Sequence, residues 1–540
     1  MSLVWYMMSY GAIVLLIIST IAAAFVRWRF CHWRRLGIPY AEPTFPFGNF
    51  SDVFMGRKSF AHCTEDLYRM FEGKPYFGVF LALQPTLIIT DEELIKDVTI
   101  RFANSHFVDH ISHADIHRDP FLAKNLFMLK GQHWRHVREL LNPAFSYGKM
   151  KILHPHVLAK AELLSDIIYQ STGTEGKTLD AKSLLARFTT DAIASCGFGL
   201  EVDSLRNPKN DFFRMGLRLF DQSLRHQMNI AVIFMFPKLV KVLRAAIVVP
   251  EVASFFRHLV WAVVGERVAA GGRARGDYID YLISVRRKCK GEAASEGERG
   301  EGSDVPVHGS GHSHNDAKSI TDFDGDDFVA QAFSFYLAGY ETTSTVAALA
   351  LFELAKNPIV QEKLLADIDA VLEESGREVT FEAIQKMKYL DMVVSETLRK
   401  YPSFPAINRL CERDYLRSEL GLSIPKGTHV MIPVYGLQND PRFFTDPEAF
   451  DPERFSPEGK RDRSSHCFLP FGNGPRICIG RRFGQLQINL VLVCLLWRMR
   501  VSLIDGLRGL RSFPISKRGF LIHAEGGLPL VFERRNGAQE

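Results

Sequence analysis

The run FGNGPRICIG, Phe471 to Gly480, surrounds one thiol, Cys478, with three glycines, a proline and an arginine, just ahead of a stretch with helical patterning. A thiol is a good metal ligand only as thiolate. Backbone N–H groups freed by Gly472, Gly474 and Gly480 at a helix N-terminus favour that charge. The run holds no second cysteine and no histidine, so it offers one soft anionic ligand and no more. A fold built on it must enclose a cofactor that brings its remaining ligands with it.

A macrocycle that supplies four nitrogens meets that requirement. Haem with an axial cysteine would let the glycines bring backbone and porphyrin close, Arg476 meet a propionate and Phe471 cover the proximal face. A buried structural cysteine is the commoner fate of a lone one. That reading leaves the arginine and the glycines without a purpose.

The rest of the chain limits the alternatives. Its eight cysteines are scattered, with no C-x-x-C pair and no short Cys/His spacing, which argues against a disulfide scaffold and a structural zinc site and fits a reducing compartment. The 66 basic and 61 acidic residues leave a net charge of only +5, too small and dispersed to argue for nucleic acid. Leu3 to Val26 carries no charge and then meets Arg27, Arg29, Arg34 and Arg35, which predicts an uncleaved anchor with everything after it on the cytosolic side. A cleaved signal peptide fits less well, because the basic flank is on the wrong side and the apolar run is too long.

The organisation expected is an anchor over 1–26, a basic and proline-rich linker over 27–50, and a catalytic domain over 51–540 without internal repeats. YFGVFLAL and TLII, separated by Gln84 and Pro85, predict a strand pair, and helical patterning dominates from Asp91. Gly291 to Asp316 is glycine-rich and charged, a mobile loop by composition; its His308, His312 and His314 carry only a weak metal signal. Asp322, Asp324, Asp326 and Asp327 then precede a long helix ending at Lys356, after which Asn357 and Pro358 open another and Gly376 closes it.

The cysteine run matches F-x-x-G-x-R-x-C-x-G at every fixed position and so resembles the haem-binding signature of the cytochrome P450 family. Other family marks follow in the expected order. ETLR resembles its E-x-x-R helix and DPERF its meander, implying a buried network of Glu396, Arg399 and Arg454. WRHVR resembles its W-x-x-x-R helix, so Trp134 and Arg138, together with Arg409 and Arg476, are implied propionate partners. AGYETT resembles the oxygen-activation motif, implying Ala338 and Gly339 opposite the iron and Glu341 and Thr342 as an acid–alcohol proton relay. One departure is Gln438, where the family commonly has histidine.

The resemblance is to arthropod microsomal members of the clan that includes vertebrate drug-metabolising enzymes. It implies a mainly α fold with a smaller β-rich region behind one N-terminal transmembrane helix, and haem b as cofactor. The activity implied is a monooxygenase in the endoplasmic reticulum membrane, inserting one oxygen atom into lipophilic small molecules, xenobiotic or endogenous. Electrons would come from NADPH through NADPH-cytochrome P450 reductase, with cytochrome b5 as a further partner; the basic residues Lys130, Arg135, Lys149, Arg481 and Arg482 would steer an acidic partner. The alternatives are a haem-thiolate isomerase or dehydratase, disfavoured by Glu341 and Thr342, and a non-catalytic haem ligand-binding protein. Pocket walls are expected from the loop Phe107 to Phe127, the helices around Phe212 to Met235, and Phe335, Phe404 and Phe520.

Overall fold

The computed structural model describes residues 2–535, except 174, 222, 272–274, 292–322, 462–463 and 525. Most of the loop expected at 291–316, with its histidines, and Asp322 lie outside the described residues.

The first helix, Ser2–Phe30, is 29 residues long, about 43 Å at 1.5 Å per residue and more than a bilayer core requires. The apolar window of its span Tyr10–Phe30 has no buried residue, and only its end touches the body, where Phe30 packs on Phe80 at 5.2 Å and Arg29 donates to the Leu83 carbonyl at 3.3 Å. The helix runs past Val26 because nothing in Arg27–Phe30 breaks it.

The segment expected as a linker is docked on the body. Trp33 is buried, and its indole N–H donates to the carbonyl of Val79 at 3.0 Å. A Cβ on Gly78 would lie 2.4 Å from the Trp33 ring, so only glycine admits the contact. Asn49 exchanges backbone and side-chain hydrogen bonds with Phe80, which fixes the end of the proline-rich stretch. Deleting Met1 to Val26 therefore removes the free part of the helix and leaves this docking intact. The truncated chain is expected to lose most membrane retention and keep a wild-type haem-to-protein ratio, read by fractionation and absorbance. A truncated chain that fails to take up haem would show that the apolar helix belongs to the folded core.

The docked segment lies on a four-stranded sheet of β1 (Tyr76–Leu81), β2 (Gln84–Ile89), β3 (Ile407–Leu410) and β4 (His429–Ile432), in the order β1-β2-β4-β3. Gln84 and Pro85 belong to β2 and do not separate the strands; the turn is Ala82–Leu83. Proline is tolerated there because the parallel pairing of β2 with β4 begins only at Thr86. A second sheet pairs Pro529–Arg534 with both Lys177–Asp180 and Met499–Leu503.

Helices form the larger layer. The central helix, Gly325–Lys356, is 32 residues long and starts at Asp324, whose side chain caps Gly325 and pairs with Arg286 and Lys290. It is buried against Ala181–Ile193 and Arg481–Arg498, and Tyr147–Ser171 packs on Arg481–Arg498. Asn357 does not cap the helix that follows; its amide donates back to the Glu353 carbonyl at 2.8 Å. The site lies between the central helix and the cysteine run, with β3 at its side.

Candidate functional site

Cys478 stands between a short turn, Gly474–Arg476, and the helix Arg481–Arg498. Its backbone N–H donates to the Phe471 carbonyl at 2.9 Å, closing the run into a loop. Gly474 has φ +68°, and a Cβ there would strike the Thr99 carbonyl oxygen at 1.7 Å. Its glycine is therefore required by the neighbouring backbone, whatever the loop binds. At Gly480 a Cβ would meet only Phe145, at 3.9 Å, so the loop is open there.

Protein crowds the Cys478 sulfur, and this burial pushes the thiol pKa up, although the Gly480 N–H, Arg138 and Arg481 all favour the thiolate. The helix N-terminus expected from sequence to stabilise the charge is present but outweighed by desolvation. A bound metal cation supplies what is missing, since a coordinating thiol is deprotonated outright. The residue nonetheless presents exposed surface. The crowding, not that surface, governs the electrostatics of the thiol.

Around the cysteine are cations with unequal surroundings. Arg409, on β3, is buried; its Nη1 donates to the Asn408 carbonyl at 2.7 Å, and its Nε has no partner. Burial lowers its pKa to about 10, so it stays charged at neutral pH. Half-buried Arg138, on the helix Gly131–Leu141, donates to the Ile477 carbonyl at 2.8 Å. Neither guanidinium has a carboxylate partner among the described residues. Arg476 does: it pairs with Asp109 at 3.0 Å and lies over the Trp134 ring at 3.8 Å. An uncompensated buried cation is costly unless an anion joins it, so Arg409 and Arg138 beside a lone thiol fit a dianionic macrocycle with one open axial position.

On the central helix, Ala338 is exposed between buried Tyr336 and Tyr340. A Cβ on Gly339 would approach Ile193 Cδ1 to 3.0 Å, so the glycine serves packing against Ala181–Ile193. The Thr342 hydroxyl donates to the Ala338 carbonyl at 2.7 Å, and the helix is unbroken there. Glu341 turns to the neighbouring helix, where Oε2 pairs with Lys182 at 3.0 Å and Oε1 accepts from Thr345 at 3.1 Å. Lys182 carried no sequence signal.

Glu396 and Arg399, both fully buried, form a two-point ion pair with N–O distances of 2.7 and 2.8 Å. Arg454 Nε lies 3.5 Å from Glu396, and the Asp451 N–H donates to it at 3.1 Å. Buried Gln438 donates to the Leu398 and Arg399 carbonyls and accepts from the Leu469 N–H at 2.8 Å. It thus ties this helix to the strand of chain entering the cysteine loop, a task for which glutamine has both donor and acceptor.

The expected pocket wall divides in two. Phe127 lies 6.3 Å from Phe404 and 6.1 Å from Phe234, which in turn lies 5.7 Å from Phe520. Phe335 instead packs between Tyr278 and Phe483, Phe212 against Phe256 and Tyr336, and Phe107 against Tyr415. These three are core residues, because their own helices and loops turn them toward neighbouring elements.

A mainly helical fold with an exposed thiol ahead of a helix that packs on the central one at Phe335–Phe483, and with two guanidiniums that lack a carboxylate partner among the described residues, suits a planar dianionic macrocycle held through one sulfur ligand. The family model for cytochrome P450 matches residues 39–528. Cytochrome P450 6j1 of Blattella germanica is 34% identical over 98% of this chain and 100% of its own length. Probable cytochrome P450 6a13 of Drosophila melanogaster is 36% identical, covering 94% of this chain and 95% of its own, and cytochrome P450 9e2 of Blattella germanica is 35% identical with the same coverage. The chain belongs to the cytochrome P450 family. It is a haem b-binding monooxygenase similar to arthropod microsomal enzymes.

Proposed function

We propose that the protein is anchored in the endoplasmic reticulum membrane by its first helix, with the body in the cytosol, and oxygenates lipophilic small molecules with electrons from NADPH through a flavoprotein reductase. The observation that carries this reading is the stretch Ala338–Thr342, where an open helix face is followed one turn later by a hydroxyl and beside it an acid. The aromatic wall of Phe127, Phe234, Phe404 and Phe520 supports an apolar substrate. Exposed Arg481 and Arg482, at the start of the helix behind Cys478, support an acidic electron donor on that side.

When bound, haem supplies the reduction of dioxygen and the insertion of one of its atoms. Cys478 would hold the iron, while Arg409, Arg138 and the Nη1 end of Arg476 would receive the propionates, with Trp134 bracing Arg476. The Thr342 hydroxyl has one proton and two acceptor positions, so it can pass a proton only by releasing the Ala338 carbonyl. Glu341 likewise has to leave Lys182 before it can hand on a proton. Glu396, Arg399 and Arg454 would hold the frame of the cysteine loop.

Thr342→Ala is expected to leave haem content and first-electron reduction unchanged, because the one side-chain hydrogen bond it gives up lies within its own helix turn. Without a positioned donor, NADPH consumption persists while product falls and hydrogen peroxide rises. Positioned proton transfer contributes about 10²–10⁴-fold, and water substitutes for part of it. The check is the ratio of product to NADPH consumed across several apolar substrates. Full coupling in the variant would remove the relay role and leave Thr342 as a helix back-bond.

A further inference from the structure

Asp109 lies in the loop assigned from sequence to the substrate pocket, yet it faces the cysteine loop. Its side chain is nearly buried, as is that of Arg476, and its Oδ1 accepts from Arg476 Nη2 at 3.0 Å and from the Gly131 N–H at 2.8 Å. The Asp109 N–H donates to Glu412 Oε1 at 3.1 Å, and its carbonyl accepts from the Leu410 N–H at 2.8 Å. The aspartate is therefore held by the helix Gly131–Leu141 on one side and by β3 and the residues after it on the other.

This arrangement determines how Arg476 meets the cofactor. Of its five N–H groups, the one on Nε goes to the Val108 carbonyl at 2.9 Å, and those on Nη2 go to Asp109 and to the Leu129 carbonyl at 2.9 Å. Nη1 has only a long contact, 3.4 Å, to the Phe127 carbonyl. With the plane of the guanidinium also fixed over Trp134, Nη1 is the end left to meet an anion. The charge is fixed too: Asp109 neutralises Arg476, so Arg409 and Arg138 provide the two unmatched positive charges for two propionates.

We propose that Asp109 is a cofactor-positioning residue that locks the Arg476 guanidinium and, by cancelling its charge, lowers the reduction potential of the bound haem. The proposal rests on the reading that Arg476 faces the cofactor. Buried charges interact strongly because the interior screens them little. A third unmatched positive charge at the propionate end of the cofactor would stabilise the ferrous form, which carries one charge less. A purely structural aspartate would have no such effect on an isosteric, charge-removing change.

The test is spectroelectrochemical titration of the haem-loaded full chain in bilayer discs at pH 8, comparing Asp109→Asn, Asp109→Glu and Glu412→Gln. Asp109→Asn is expected to shift the ferric–ferrous equilibrium about tenfold toward the ferrous form, about 59 mV for a one-electron couple. Asp109→Glu, which keeps the charge, is expected to stay within about twofold of wild type, a fold-scale far below that tenfold step. Glu412→Gln is expected to shift the potential in the same direction as Asp109→Asn and by less. An unchanged potential in Asp109→Asn, with a thiolate-type carbon monoxide spectrum, overturns the proposal. If that variant yields no haem-loaded protein, Glu412→Gln carries the test, a raised potential supporting the proposal and an unchanged one overturning it. Arg476→Gln separates the underlying reading: wild-type haem affinity and potential there would mean that Arg476 does not face the cofactor.

Discussion

Cys478→Ala is expected to abolish the absorption band that the reduced carbon monoxide complex owes to an anionic sulfur ligand. The effect is expected to be complete because the run from Phe471 to Gly480 holds no second thiol. Among the other cysteines, Cys63 and Cys411 are buried, and burial pushes both pKa values up to about 12; Cys196 and Cys494 are buried and shifted up as well. The fold is expected to survive, since Cys478 is exposed and sits on a loop that its own backbone N–H closes onto the Phe471 carbonyl, a bond the substitution leaves in place. Unchanged far-ultraviolet circular dichroism beside a lost band would separate loss of the ligand from loss of structure. A retained thiolate band in the variant would sink the assignment of Cys478.

Arg399→Ala is expected to have the largest effect on stability. Besides its two-point pair with Glu396, Arg399 donates to the carbonyls of Gln438 at 2.9 Å and Pro447 at 2.8 Å. Among the described residues, truncation leaves the fully buried Glu396 carboxylate with only Arg454 and the Asp451 N–H, and it strands those carbonyls. Breaking a buried pair in this way costs about 3–5 kcal/mol, against a total stability on the order of 5–15 kcal/mol. Arg399→Lys restores little, because one ammonium cannot span both carboxylate oxygens and the carbonyls together. The check is the yield of haem-loaded protein and its denaturation midpoint. Wild-type values in Arg399→Ala would show that the network does not support the loop.

The features legible in the sequence are those that depend on chemistry over short spans. The pairing of Glu396 with Arg399 follows from helical spacing of three residues, and the start of the central helix follows from acidic residues that cap it. The hairpin of β1 and β2 was visible in its two short apolar runs, although its turn was misplaced because Pro85 reads as a breaker until the pairing register is known.

The sequence by itself determined the cofactor class, the order of the motifs and the free apolar helix, because each follows from residue types within one loop or one helix turn. Only the tertiary structure decided which partners those residues meet. Asp109 reaches Arg476 across 367 positions, and Lys182 holds Glu341 across 159. Trp33 converts an expected linker into a docked segment, and Phe335, expected at the pocket, is turned into the core. The reason is physical: local spacing sets what a side chain can offer, while desolvation and ion pairing depend on what the rest of the fold packs around it.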